Sequence, residues 1–422
     1  MESITDLAPE IQKRISNVSK YFHQRGMKRP IVKFISSMLT SMIKERHVHV
    51  TVLARSLRES IALKKTWERL NRNLSKHGLG DEVISAIMSK HQGTIRRLPY
   101  CVIDTSDIQK PQATRMEGLC MVRDGDKSEQ GKEPVIGKGF HWINGVMVGG
   151  NELIPVSSEI YSLDHEGTDH MSENKKILAI TERVHEIHSE AIYVLDRGGD
   201  RLQLLRPLLE DEKRFIIRSQ GLRSLRVHRD STRLHNIKEI ANRTKPSYTF
   251  KSYRNGEIFD VGIRHVYVGE HSLWLVASRR RKNGALSWYV TNLTGSRREI
   301  MSRVMEGYSL RWRVEEYHRQ IKQDFKLERI CLRNYHAIKN MGVMVMLASA
   351  FCSVLPQPLI IKLLALSQLL PRKRLSDIPT YPYYMITAAV AQVIIGAVKR
   401  RSKPIQQRIR DYFQLNLNLG VS

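Results

Sequence analysis

Apolar residues recur every three or four positions from the N-terminus to about residue 90, and no stretch there alternates, so this first segment is predicted to be helical throughout. Within it, residues 51–74 have the pattern of a helix-turn-helix, with Val52, Leu53, Ala54 and Leu57 on one packed face and Ile61, Leu63, Trp67 and Leu70 on another. The period changes at Leu98. Residues 100–103 form a short apolar run that ends in Asp104, and residues 140–148 and 152–161 read as two further strands. Ser172 is placed to cap a helix reaching about His188, with Ile177, Ile180 and Val184 as its buried face. Residues 191–195 are apolar without interruption, which suits a strand buried on both sides, and they too end in an aspartate, Asp196. A helix over 200–212 and a strand over 215–218 follow. Three strands, helix, strand, helix, strand is the order of an α/β sheet with mixed strand directions.

The stretch from about Gly221 to Arg281 breaks this order. It is basic and strand-rich, alternating over 248–251, 258–261 and 272–277, and is expected to form an inserted β-rich domain. Residues 286–293 return to a strand, a helix begins at about Ser296, and the remainder reads as helical with a connector at 381–384. The expected organisation is a helical DNA-binding region over 1–95, the first part of an α/β core over 96–220, the β-rich insertion over 221–284, the end of the core over 285–335 and a helical region over 336–422. Two apolar stretches, 343–355 and 384–398, fall short of the eighteen or so residues of a membrane span and predict buried helices. Gly137, Lys138 and Gly139 lack the spacing of a P-loop and a following helix, so they are assigned to a hairpin or strand edge, and no nucleotide cofactor is expected.

Charge narrows the function. The 422-residue chain carries 69 Lys and Arg against 42 Asp and Glu, a formal charge of +27, with 41 % hydrophobic residues. A folded protein of that balance is expected to meet a polyanion, nucleic acid before membrane or acidic protein. Lys64, Lys65, Arg69 and Arg72 project from the second half of the helix-turn-helix and suit phosphate and major-groove contacts, although ordinary helical hairpins carry the same pattern. The C-terminal end adds Lys403, Arg408 and Arg410. Cys101, Cys120, Cys331 and Cys352 have no paired spacing, which supports neither a zinc ribbon nor a disulfide framework and fits a reducing cytosol. Glu2, Asp6 and Glu10 fall where a signal peptide would be apolar, so secretion is not expected.

Candidate chemistry concentrates in the run YSLRWRVEEYHRQIK. Tyr308, Arg311, Glu315 and Lys322 are offset by three, seven and fourteen residues, which on one continuous helix places them within a sector about 60° wide. Leu310, Val314, Tyr317, Ile321 and Phe325 gather opposite as an apolar stripe. The polar row spans about 21 Å, enough to follow several phosphates with a carboxylate near its middle. Taken alone, a solvated, salt-bridged helix looks the same. Asp104 and Asp196 change the weighing, because each ends an apolar strand, where an open α/β sheet forms its crevice. Either alone could shape a turn or cap a helix. Together with Glu315 they are three anions that are costly to hold unless divalent metal neutralises them, and oxygen-only ligands favour Mg²⁺, with Mn²⁺ able to substitute. The implied reaction is phosphoryl transfer on a polynucleotide with two ions. Asp164, His165, Glu166, Asp169 and His170 lack fixed ligand spacing and are not assigned a metal, and His318 is expected to face DNA or solvent rather than act as a base.

The run resembles the signature helix of DDE transposases of the insertion-sequence-four family, whose motif reads Tyr, two residues, Arg, three, Glu, six, Lys; all four positions match. VIDTSD resembles that family's first acidic segment and YVLDRGGD its second, with Asp200 at the further aspartate four positions on and Gly198 where many members carry an acidic residue. The likeness spans roughly residues 50–330. It implies an RNase H-like catalytic core interrupted by a β-insertion, with Asp104, Asp196 and Glu315 as the metal-binding catalytic triad and Tyr308, Arg311 and Lys322 gripping DNA phosphates at the transposon end. It also matches Trp288, in LSWYVTNL, to a tryptophan that stacks on a base flipped out during hairpin formation, with Trp312 as its neighbour; read from its strand alone, Trp288 is equally a core residue. The implied protein is a bacterial, cytoplasmic DNA transposase that binds terminal inverted repeats of double-stranded DNA, cleaves them by a hairpin route and joins them to target DNA. A homodimer on DNA is expected, with the helices after about Met341 as its natural interface. A nuclease of the same core that does not join ends, and a non-catalytic DNA-binding relative, are the other readings.

Overall fold

The computed structural model describes residues 7–123, 133–164, 173–252, 254–368 and 381–399. The expected Ser172 cap, the cluster 165–170 and the basic end at Lys403, Arg408 and Arg410 lie outside the described residues. Six helices come first: α1 (Leu7–Gln24), α2 (Arg29–Glu45), α3 (Val50–Leu57), α4 (Leu63–Leu74), α5 (Leu79–Lys90) and α6 (Gln92–Arg97). Their spacing explains them. On α1 the buried residues are Leu7, Ile11, Ile15, Val18 and Phe22, one helical stripe, and α2 opens on a proline in its first turn and closes on Arg46 in the left-handed conformation.

The second face expected for the helix-turn-helix is different in the structure. Thr66, Leu70, Asn73 and Leu74 are the buried residues of α4, whereas Ile61, Leu63 and Trp67 stand 50 %, 39 % and 41 % exposed. Spacings of four, seven and eight residues make Thr66 to Leu74 the better stripe, and Ile61 precedes the helix altogether. Thr66 Oγ1 also donates to Glu59 in the α3–α4 turn at 2.9 Å, which holds that rotation.

The middle of the chain supplies β1 (Tyr100–Gln109), β2 (Cys120–Arg123), β3 (Ile136–Gly149), β4 (Glu152–Tyr161), α7 (Glu173–His185), β5 (Ile192–Leu195), α8 (Leu202–Glu210), β6 (Arg214–Arg218), β7 (Ser224–Leu225), β8 (His235–Asn236), α9 (Ile237–Arg243), β9 (Tyr248–Lys251), β10 (Ile258–Val268), β11 (His271–Arg280) and β12 (Leu286–Thr291). Most join one large mixed sheet in the order β2-β3-β1-β5-β6-β12-β11-β10-β9, with β4 on β3. Strands β1, β5 and β6 are parallel, β3 runs antiparallel to β1, and β12 antiparallel to β6. In the basic, alternating stretch expected to form an inserted β-rich domain, strands β9, β10 and β11 continue the same sheet outward from β12, and β7 and β8 pair with each other apart from it. The open edge of β12 is a row of unpaired backbone groups that β11 satisfies.

The described residues finish with α10 (Arg297–Ser309), α11 (Trp312–Gln323), α12 (Tyr335–Ser353), α13 (Gln357–Gln368) and α14 (Tyr383–Lys399). Ser296 and Glu299 form the capping box that starts α10. Gly307 brings α10 down on the sheet, since a Cβ there would stand 2.6 Å from the Tyr100 ring, and Tyr100 donates to Glu306 at 2.9 Å. On the opposite face Tyr193 donates to the Thr181 carbonyl of α7 at 2.8 Å. Helix α12 is buried along nearly its whole length, against β4 and against α2, α4 and α5, which explains its apolarity. No single helix among the described residues is long and apolar enough to cross a membrane. The N-terminal and C-terminal helices thus share one hydrophobic core with the sheet.

Candidate active site

The register of the parallel pair places two of the expected carboxylates side by side. β1 and β5 pair from Tyr100 and Ile192 to Ile103 and Leu195, so Asp104 and Asp196 are the next residues on adjacent strands. Side chains alternate along a strand, so Asp104 leaves the sheet on the same face as Tyr100 and Val102, beneath α10 and α11. β1 continues to Gln109, so Asp104 marks the end of the β5-paired stretch and not, as expected, the end of its own strand. Asp196 also caps: its Oδ1 accepts from the Gly198 N–H at 2.8 Å and starts the 3₁₀ turn Arg197–Gly199. The Asp200 side chain is 6 % exposed and accepts from Arg223 Nε at 2.9 Å and Nη2 at 2.6 Å, tying the loop after β5 to the loop after β6.

The run YSLRWRVEEYHRQIK is two helices, not one. Its N–H groups at Arg311, Arg313 and Val314 bond back three residues instead of four, so the chain tightens between Ser309 and Trp312 while staying close to helical. Tyr308 therefore belongs to α10, Arg311 to the break, and Glu315 and Lys322 to α11. The predicted stripe of Leu310, Val314, Tyr317, Ile321 and Phe325 is buried throughout. Helix α11 is covered on a second side as well, where Tyr381 donates to Gln320 at 3.0 Å and Tyr384 to the Glu316 carbonyl at 3.3 Å.

Arg311 is the electrostatic centre. Its Nη1 stands 3.4 Å from Asp104 Oδ2 and its Nη2 bonds Glu315 Oε1. Burial raises the Asp104 carboxyl, Arg311 opposes this, and Asp196 and Glu315 add to it, leaving it pushed up to about 7. Burial disfavours the charge on Arg311 in turn, but Asp104, Tyr308, Glu315 and Asp196 together hold its pKa above the ordinary value. All three carboxylates thus act on one guanidinium. As a donor set, carboxylate oxygens with excess negative charge fit a hard divalent cation. In the present arrangement Arg311 bridges Asp104 and Glu315, and among the described residues no three His, Cys, Asp or Glu side chains are grouped to hold an ion.

The family model for the transposase DDE domain matches residues 101–351, more than half of the chain and the whole of this site. The chain belongs to the DDE transposase family. No curated protein matches it. Membership makes it a transposase with DNA as its partner, in a family of metal-dependent enzymes that cut and join DNA.

The expected DNA-contacting residues of the transposase fall into different settings. The Tyr308 ring lies 4.8 Å from Tyr289 and 5.7 Å from the Arg311 guanidinium, and Arg218 donates to its hydroxyl at 3.2 Å. Lys322 is 16 % exposed and pairs with Glu328 at 3.3 Å, so a phosphate would have to displace that carboxylate. Trp288 is half-buried against Gly221, a residue in the left-handed region where a Cβ would stand 2.7 Å from the indole. Trp312 lies between the guanidinium groups of Arg254 and Arg313, at 5.2 and 5.6 Å from its ring, with Tyr381 at its edge. Lys64 and Lys65 are exposed. Arg69 is paired: both Glu59 oxygens accept from its Nη2 at 2.7 Å, because the α3–α4 turn brings that carboxylate under it.

His318 departs from the expectation that it faces DNA or solvent. It is 8 % exposed, its ring centroid 4.8 Å from that of Trp142, and burial followed by the Lys322 and Arg311 charges pushes its pKa down to about 3. It does not face solvent, because its ring packs against Trp142 and hydrogen-bonds Asn144, both on β3. Arg218 and Arg254, which flank Tyr308 and Trp312, carried no signal in their own surroundings and were not anticipated.

Proposed function

We propose that this transposase is of the insertion-sequence-four type, with an RNase H-like core made by β1, β3, β4, β5 and β6 and an insertion between β6 and β12. Asp104, Asp196 and Glu315 would hold two Mg²⁺ ions, with Mn²⁺ able to substitute. Such ions activate an attacking oxygen and stabilise a leaving one in phosphoryl transfer. The observation that carries the reading is the convergence of these three carboxylates on Arg311 from two adjacent parallel strands and one helix.

The chain's own residues supply the rest. Arg311 offsets the carboxylate charge and is placed to meet a phosphate beside it. Tyr308 presents its hydroxyl on the same side, and Lys322 exchanges Glu328 for the DNA strand. Trp288 accommodates an unstacked base during a hairpin step, its aromatic face supplying about 1 to 3 kcal/mol of stacking, with Trp312 nearby. Lys64 and Lys65 contact the terminal inverted repeat, and a homodimer in the bacterial cytoplasm brings two ends together.

The test is strand transfer by the purified protein, with Mg²⁺, on a duplex carrying the repeats that flank its coding sequence. Joined 3′-hydroxyl ends are expected, lost in Asp104→Ala, Asp196→Ala and Glu315→Ala while duplex binding persists. Hydrolysis without joining would point to a nuclease, and indifference of every activity to Asp104→Ala would point to a non-catalytic DNA-binding protein.

A further inference from the structure

Opposite Asp104 on β3 stands Asn144, its direct cross-strand partner. Facing side chains of an antiparallel pair leave the sheet on one face, so both lie beneath α11. Asn144 is 0 % exposed, and its Nδ2 is 3.0 Å from Nε2 of His318, one turn beyond Glu315. The amide's Oδ1 has no hydrogen-bond partner among the described residues. His318 is clamped from the side by Trp142, which is itself fixed by a 2.9 Å bond from Nε1 to Ser158 Oγ on β4. Elsewhere the buried residues of α11 on this side are the apolar Val314, Tyr317 and Ile321, and the other polar tie is the long Arg311 side chain, which reaches Asp104 from the turn before the helix. Apolar contact holds a helix down without fixing where along the sheet it sits, since it is non-directional. A buried hydrogen bond is directional and costly to leave unmade.

We propose that the Asn144–His318 hydrogen bond is a positioning contact that sets where α11 sits along β1 and β3, and so how near Glu315 stands to Asp104. It rests on the reading that these two carboxylates serve one active site. Both partners are neutral, so the contact neither attracts nor repels a cation held among Asp104, Asp196 and Glu315. Its influence is through distance alone, and a displacement of about 1 Å in such a site lowers rates on the order of a hundredfold.

The experiment uses the full chain and a duplex bearing the flanking repeats, with cleavage rate at saturating DNA, Mg²⁺ concentration at half-maximal rate and DNA affinity as readouts. Asn144→Ala and His318→Ala should each slow cleavage about 30- to 100-fold and raise the Mg²⁺ midpoint, with DNA affinity held within about twofold. The double variant should be no slower than the slower single one, because the two residues act as one contact. His318→Gln, which keeps a hydrogen-bonding group there, should recover at least about tenfold of the loss. Additive losses, a Gln variant no better than Ala, or affinity falling in step with rate would overturn the proposal. If His318→Ala does not fold, Asn144→Ala and His318→Gln carry the same comparison. Asp104→Ala separates the two layers: full activity there overturns the site reading, whereas inactivity there beside an unaffected Asn144→Ala overturns only the positioning role.

Discussion

Deleting the guanidinium of Arg311 measures how much of the site's order is electrostatic. Its Nη1 lies 3.4 Å from Asp104 Oδ2, and the two side chains are 19 % and 12 % exposed. At that separation unit charges attract by about 5 kcal/mol at an effective dielectric of roughly 20. Residual exposure lets water screen part of this, so a double-mutant cycle of Arg311→Gln and Asp104→Asn should return a coupling of about 2–3 kcal/mol. The two single changes are unequal. Arg311→Gln leaves Asp104 beside Asp196 and Glu315 without its cation, whereas Asp104→Asn removes one of three anions that share it. Arg311→Gln is therefore expected to cost more stability. The assay is urea unfolding of the four proteins with EDTA well above the raised Asp104 pKa of about 7, so that the carboxylate is ionised, followed by tryptophan fluorescence. A coupling below about 0.5 kcal/mol, or a larger loss in Asp104→Asn than in Arg311→Gln, would refute the reasoning.

Gly307→Ala should destabilise the protein by about 1–3 kcal/mol in thermal unfolding, since the new methyl meets the buried Tyr100 ring at 2.6 Å. Lys64→Ala and Lys65→Ala should each reduce the salt dependence of DNA binding by about one counterion, while Arg69→Ala, which breaks the Glu59 pair, should lower stability and leave that slope alone. His91 should make the protein acid-sensitive: burial, then Lys90, lowers its pKa from 6.5 to about 4. Its contribution is therefore whole above the unfolded value and is lost as pH falls from there toward the folded one. Between about pH 7 and 5 the wild type should lose up to about 2 kcal/mol more than His91→Gln in urea unfolding.

The strands of the core were legible because burial on both faces leaves an unbroken apolar run, as at 191–195, and the end of such a run pointed to Asp104 and Asp196. The start of a helix at about Ser296 and the stripe from Leu310 to Phe325 were legible because they too rest on local pattern. What stayed hidden depends on partners far along the chain. The turn at Leu310 and Arg311 has no glycine or proline to announce it. Both flanks of the apolar stripe on α11 are also buried, Glu316 and Gln320 by Tyr384 and Tyr381 and His318 by Asn144, so a polar residue on a helix was read as exposed. β2 is too short for alternation to stand out, and whether alternating strands join an existing sheet or found a new one is a matter of edge pairing that no local pattern records.

Asn340 on α12 donates from its side chain to the carbonyls of both Leu74 and Lys76, each at 2.7 Å, across 266 and 264 residues of chain. During synthesis those two carbonyls emerge long before their donor, and the floor beneath α2, α4 and α5 is laid only when residues 335–353 leave the ribosome. The first helices therefore wait in an incomplete state for most of translation. A fragment ending before α12, cut for DNA-binding studies, would leave the faces of α2, α4 and α5 that meet α12 without that cover, and extending it to include α12 means carrying the whole sheet with it.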